Sequence, residues 1–340
     1  MSIQNKIAAA AFLILPIIGF IFLVRNPSKV KSFISKAEDF QQFIVLKEHH
    51  YFNGKLFGAI RFVGSWAVPT LYFGLLITLS HIFFTRVIHK IESPKTLLYV
   101  ILLATLPISF LLAIFTLPEK LTHYNAARYN SEFTNDNIIF FPEQICKTCQ
   151  LVKPARSKHC KYCGGCVILY DHHCVWLNNC VGKGNYIWFY SFILVNVLVL
   201  SYASVIIGQL VWNEWNALVS FDDMVYEAML FMICSLFDLV MIWFAWLNYS
   251  MVKQGVTTNE FSKWESIHDL IKDKLLIRVD DLYYEYLPNE NRFVSANLRD
   301  NRVKYINKEQ GHWLKSIEEL VNIYDKGSLK ENFKERLKTD

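Results

Sequence analysis

Apolar residues in this chain do not alternate with polar ones; they run together. Five long runs stand out, near residues 7–24, 66–84, 97–117, 186–211 and 228–246, and only the last contains a charged residue, Asp238. Each run is close to the roughly 20 residues that a helix needs to cross a hydrocarbon core. A segment that is apolar on every side leaves no face for water. The pattern predicts a polytopic α-helical membrane protein with about five transmembrane helices.

Polar segments between the runs give the topology. Arg25, Lys29, Lys31 and Lys36 follow the first run closely. Trailing positive charge fits a retained anchor with a non-cytosolic N-terminus better than a cleaved signal peptide. The segments carrying Lys47, Lys55 and Arg61, and then Lys147, Lys153, Arg156, Lys158, Lys161 and Lys183, are expected on the cytosolic side. No Lys or Arg occurs from Trp212 to Val252, while Glu214, Asp222 and Asp223 do, so that short connection is expected in the lumen. The 85–96 connection must then also be lumenal, although Arg86, Lys90 and Lys95 run against the rule. The chain divides into an N-terminal membrane region (1–125), a cysteine-rich segment (142–185), a C-terminal membrane region (186–250) and a cytosolic tail (251–340). In the tail, Phe261, Trp264, His268, Ile271 and Leu275 recur at helical spacing, which predicts a packing stripe.

Composition agrees with a membrane chain. Charged residues make up 19% of the sequence, against about 25% in soluble domains. A net charge of +5 with no concentrated basic face argues against a nucleic-acid protein.

Seven of the eight cysteines fall between Cys146 and Cys180, together with His159, His172 and His173. The segment reads Cys146-x-x-Cys149, His159-Cys160-x-x-Cys163-x-x-Cys166, Asp171-His172-His173-Cys174-x-Trp176 and Asn179-Cys180-x-Gly182. Repeated Cys-x-x-Cys pairs with histidines favour zinc in a reducing compartment over a disulfide framework. Two closed zinc sites need eight ligands, and the segment offers ten residues of ligand type. A leftover thiol and imidazole have the ingredients of an activated nucleophile, and a neighbouring carboxylate completes a possible triad. Asp171, His172, His173 and Cys174 are the place where these types crowd together. Spacing alone leaves open which histidine is spare, and leaves open a zinc scaffold with one extra thiol. A membrane-tethered zinc adaptor is the main alternative; it gives a free Cys–His–Asp group no role.

Asp171-His172-His173-Cys174 within its cysteine-rich segment between spans resembles the DHHC family of zinc-binding protein S-palmitoyltransferases. The resemblance extends to Thr257-Thr258-Asn259-Glu260, similar to the family's Thr-Thr-x-Glu motif, and to Asn322-Ile323-Tyr324-Asp325-x-Gly327 with Asn332-Phe333, similar to its C-terminal element. An extra first span and a short divergent tail make the chain most similar to the fungal endoplasmic-reticulum members that acylate SNARE proteins. The resemblance implies that Cys146, Cys149, His159 and Cys166 hold one structural zinc ion, and that Cys160, Cys163, His173 and Cys180 hold a second. Cys174 is then the nucleophile that takes a long-chain acyl group from palmitoyl-CoA and passes it to cysteines of membrane proteins, with His172 and Asp171 in support. The zinc domain would lie between spans three and four. Lys153, Arg156, Lys158, Lys161 and Lys183 are candidates to meet the phosphates of coenzyme A, or else a solvated basic surface. Trp176 fits an interfacial aromatic, and Cys234 a buried apolar thiol.

Overall fold

The computed structural model describes residues 55–279, 282–295 and 311–338. The first predicted span, near 7–24, lies outside these residues. Four helices among the described residues are long and apolar enough to cross a membrane. Helix α1, Lys55–Ile82, runs on through a π-turn at Phe83–Val87 and a 3-10 turn at Ile88–Lys90. Helix α2 is Ser93–Phe115; after the short α3, Ala126–Glu132, come α4, Tyr186–Asn216, and α5, Val225–Lys253. The helices overrun the apolar stretches because their polar ends find partners. Lys90 Nζ lies 2.9 Å from Glu214 and 2.7 Å from the buried Glu227. Lys95 pairs with Glu92. Two of the three basic side chains that break the positive-inside pattern are thus matched to carboxylates at the same end of the bundle.

The chain forms two compact units, each built from separate stretches of sequence. The first comprises the described parts of Met1–Leu112, with Val175–Asn178 and Tyr190–Ala245. Its core joins Phe83, Val87, Tyr99 and Leu106 to Val199, Ala203, Ile207 and Leu230. Gly208 of α4 lies so close to Phe231 of α5 that a Cβ there would stand 2.8 Å from the ring.

The second unit comprises Ala113–Cys174, Asn179–Phe189 and the described parts of Trp246–Asp340. It contains two small hairpins. Strand β1, Lys158–Cys160, pairs with β2, Gly165–Val167; β3, His172–Cys174, pairs with β4, Asn179–Val181. Helix α6, Thr258–Lys272, starts at a capping box in which Thr257 and Glu260 satisfy each other's backbone amides. Its buried positions are Asn259, Glu260, Ile267 and Ile271. Of the predicted stripe, Ile271 is buried and Trp264 and Leu275 are half-buried, while Phe261 and His268 are exposed, so the inward face is turned partly away from the expected one.

Beyond α6 the tail holds a sheet that the hydrophobic pattern did not predict. Strands β5 (Leu276–Val279), β6 (Leu282–Leu287), β7 (Arg292–Ser295) and β8 (His312–Trp313) pair antiparallel in the order β7-β6-β5-β8. One face gathers Ile277, Tyr284 and Phe293 into a small core. Helix α7, Leu329–Leu337, closes the unit.

Candidate functional site

Two groups of zinc-type ligands assemble among the described residues: Cys146, Cys149, His159 and Cys166, and Cys160, Cys163, His173 and Cys180. These are the two sets that the family resemblance implies. In the first, His159 Nδ1 lies 3.5, 3.3 and 3.8 Å from the sulfurs of Cys146, Cys149 and Cys166. In the second, His173 Nδ1 lies 3.7, 3.4 and 3.6 Å from those of Cys160, Cys163 and Cys180. A tetrahedron with zinc–sulfur bonds of about 2.3 Å has edges of roughly 3.7 Å, so both donor sets fit the ion. Each set is complete at four, so the ion would be structural, without an open position for water.

The two sites are copies of one design. Adding 14 to Cys146, Cys149, His159 and Cys166 gives Cys160, Cys163, His173 and Cys180. In each copy the histidine sits directly across a hairpin from the last cysteine: His159 opposite Cys166, and His173 opposite Cys180. Cross-strand partners share a face, so two ligands meet with little further adjustment. The residue after the first histidine, Cys160, opens the second site. The residue after the second, Cys174, would open a third, but position 177, where a partner cysteine would stand, is leucine. The repeat ends there and leaves the Cys174 thiol outside both groups.

Strand geometry then decides what Cys174 faces. Side chains alternate along a strand, so His173 points to the metal group while His172 and Cys174 share the opposite face. Asp171 precedes the strand, with 2% of its surface exposed. Its Oδ1 accepts a hydrogen bond from the backbone N–H of Thr258, the first residue of α6, where the helix dipole favours a negative charge. Its Oδ2 lies 3.9 Å from His172 Nδ1, an ion-pair distance, and neither atom has a hydrogen-bond partner. Burial works against ionisation of Asp171, but His172, Arg336 and the Thr258 amide outweigh it and bring the carboxyl down to about 2. Burial likewise opposes charge on His172, yet Asp171 and Cys174 raise the imidazole to about 10. Phe189 closes the ring's edge, 5.3 Å away in a T-shaped contact.

Two asparagines of the cysteine-rich segment, to which spacing assigned no role, anchor this hairpin. Asn179 sits directly across from Cys174 and is buried. Its amide donates to the carbonyls of Ala113, Ile114 and Thr116 at 3.2, 3.1 and 2.9 Å. Ala113 and Ile114 belong to the last turn of α2, where helices leave acceptors unsatisfied, and Thr116 follows it directly. Asn185 adds bonds to Thr116 and Cys180.

Not every predicted basic residue is available to a ligand. Arg156 is fully buried and bound to Glu260 and Glu335. Lys183 is buried as well, and pairs with Glu132 at 3.4 Å. Both candidates for phosphate contact are therefore structural, because a guanidinium or ammonium enclosed with its carboxylates offers no donors outward. Lys153 and Lys158 instead line a cleft of about 420 Å³ with Lys263, Asn259, Phe140 and Ile267.

Residues 139–265 match the family model described as DHHC palmitoyltransferase. The chain is 34% identical over 281 residues to palmitoyltransferase SWF1 of Kluyveromyces lactis, covering 80% of this chain and 83% of that protein. It is 31% identical over 286 residues to the Saccharomyces cerevisiae palmitoyltransferase SWF1, covering 78% and 83%. With the Candida albicans protein of the same name it shares 34% over 322 residues, covering 90% and 89%.

Proposed function

The chain belongs to the DHHC palmitoyltransferase family, and from that premise we propose that Cys174 is the residue on which the acyl group is carried. The enzyme is a protein S-acyltransferase of the membrane, with palmitoyl-CoA as the family's acyl donor and membrane proteins as acceptors. The observation that carries the Cys174 assignment is its position as the one thiol of the cysteine-rich segment outside both four-ligand groups, on the same strand face as His172.

The reaction proceeds by two thioester exchanges. His172, raised against burial to about 10 by Asp171 and Cys174, holds the proton of Cys174 as an imidazolium, and the paired sulfur attacks the acyl carbonyl of palmitoyl-CoA. The carbon–sulfur bond to coenzyme A breaks, and the departing thiolate takes the proton from His172. A substrate cysteine then gives its proton to His172 and attacks the acyl group on Cys174, whose thiolate is the leaving group and recovers the proton. Asp171, fixed at the start of α6, orients the imidazole and supports its charge. Cys146, Cys149, His159 and Cys166 would hold one zinc ion; Cys160, Cys163, His173 and Cys180 would hold the other. Zinc bound there would supply the cross-links that give this small two-hairpin region its shape. Lys153, Lys158 and Lys263, in their cleft, meet the phosphates of coenzyme A.

The zinc region and tail face the cytosol on this reading, with 1–125, 142–185, 186–250 and 251–340 as its four regions. The location is the endoplasmic reticulum and the acceptors include SNARE proteins. Loop charges support the first statement, and the resemblance to fungal members with an added first span supports the second. Protease protection in sealed microsomes tests the orientation, and acyl-exchange proteomics of cells lacking the enzyme tests the acceptors. Hydroxylamine-sensitive acylation of purified protein, lost in Cys174→Ala with zinc retained, tests the chemistry.

A further inference from the structure

A polar pair in the middle of the helix bundle has no part in the acyl-transfer chemistry. Ser201 is at the centre of α4, and Asp238 is at the centre of α5. At about 1.5 Å per residue both lie about 20 Å from either end of their helices, deep in the hydrocarbon. Ser201 Oγ donates to Asp238 Oδ1 at 2.8 Å. That contact uses one oxygen of a carboxylate that can accept several bonds. No other hydrogen bond reaches Asp238 among the described residues, and the side chain is only part-buried. Ser204, one turn along α4, keeps a buried hydroxyl with no partner.

The neighbouring side chains on both helices face outward. Leu194, Leu198 and Val205 are in helical register with Ser201 and are 58, 48 and 56% exposed. On α5, Phe237 and Ile242 flank Asp238 at 38 and 45% exposed. The Lys and Arg side chains described in this unit, Arg86, Lys90 and Lys95, all lie around the connection between α1 and α2. Acceptor capacity is thus present at mid-membrane, and among the described residues the bundle supplies no charged donor for it. Lipid tails supply none either. An ionisable residue held at this depth by a single serine is costly unless another protein group completes it.

We propose that the outward face at Ser201 and Asp238 docks the transmembrane anchor of a protein substrate, through a hydrogen-bond donor near the middle of that anchor: Lys, Asn, Gln, Ser or Thr. This rests on the reading of the enzyme as an acyltransferase for membrane proteins. A second copy of the chain fits less well, because a two-fold pairing sets carboxylate against carboxylate. An anchored acceptor fits, because docking its helix beside the enzyme raises the effective concentration of its cysteine.

Full-length enzyme in proteoliposomes, given single-span peptides with one cysteine and differing only at the mid-helix residue, tests this. Transfer to a peptide with Asn or Lys there is expected to exceed transfer to the Leu peptide by a factor of about five. Asp238→Leu is expected to erase that difference while leaving loading of Cys174 from palmitoyl-CoA unchanged. Equal transfer to all peptides by the wild-type enzyme overturns the proposal, and needs no variant to fold. Loading is measured in the same vesicles, so a failure of the acyl-enzyme reading itself, seen as no adduct on Cys174, is distinguished from a failure of docking.

Discussion

Arg156 and Glu260, 104 residues apart in sequence, form a bidentate ion pair with both side chains buried. The guanidinium also reaches Glu335 at 2.6 Å and the Gly255 carbonyl at 3.0 Å, and lies over the Tyr324 ring. One side chain therefore ties the zinc segment to α6, to α7 and to the C-terminal element. Glu260 in turn caps the helix whose first amide holds Asp171.

Removing Glu260 takes away the bidentate partner of the buried Arg156 and leaves it Glu335 alone; breaking a buried pair costs up to about 3–5 kcal/mol. Glu260→Ala is expected to lower thermal stability by that order and to depress activity through Asp171. Replacing both residues by apolar ones of similar size is expected to cost less than the sum of the single changes. A double-mutant cycle on melting temperature in detergent, with zinc content followed in parallel, checks the coupling.

Gly255 has φ of +67°, and a Cβ there would stand 2.6 Å from the Asp325 backbone. Backbone cannot swing away as a side chain can. Gly327 shares the left-handed conformation, at +77°, but has nothing within 4 Å. Gly327→Ala is expected to cost about 1 kcal/mol in backbone strain, and Gly255→Ala clearly more. Melting temperatures of the two variants, compared side by side, decide this; equal losses contradict the close packing of the C-terminal element.

Asn179→Ala strips the carbonyls of Ala113 and Ile114 at the end of α2 of their side-chain donor, while Thr116 keeps that of Asn185. A buried group left unsatisfied costs about 1–3 kcal/mol. Since the residue lies directly across from Cys174, acyl loading is expected to fall while both zinc ions stay bound. Zinc stoichiometry and loading rate, measured on one preparation, separate positioning from unfolding.

Burial holds the Lys263 amine down at about 8, with Lys153 and Lys158 adding to the effect against the pull of Glu260 and Asp136. A positive charge in the cleft is therefore lost as pH rises through about 8. The KM for palmitoyl-CoA is expected to increase over that interval, and Lys263→Met to flatten the profile. Stability changes in the opposite sense. The unfolded lysine titrates near 10.4, so between about 8 and that value the unfolded chain binds more protons, and stability rises with pH.

Metal-type residues were legible because zinc tolerates few spacings, and the four described spans because membrane helices are apolar all round. The positions at which those helices end were less so: Lys90 extends one span by pairing with Glu214 and Glu227, which are remote in sequence. For the same reason Arg156 read as a surface cation; nothing local announces a partner in Glu260. Of the stripe Phe261, Trp264, His268, Ile271 and Leu275, Ile271 is buried and Trp264 and Leu275 are half-buried, while Phe261 and His268 are exposed, because the Glu260 cap and Ile267 turn the inward face partly away from them. The tail sheet was missed although Leu282-Tyr283-Tyr284-Glu285-Tyr286-Leu287 is rich in strand formers. The 14-residue offset between the metal groups was visible in the numbers, but only the hairpin register gives it a physical reason.

Intact and peptide mass spectrometry of the zinc-loaded enzyme after exposure to palmitoyl-CoA tests the central claim most directly. A single hydroxylamine-labile palmitoyl adduct on the peptide containing Cys174 is expected, with two zinc ions per chain before and after, and Cys174→Ser should keep both ions and lose the adduct. An adduct on another cysteine, or loss of a zinc ion on changing Cys174, contradicts the account.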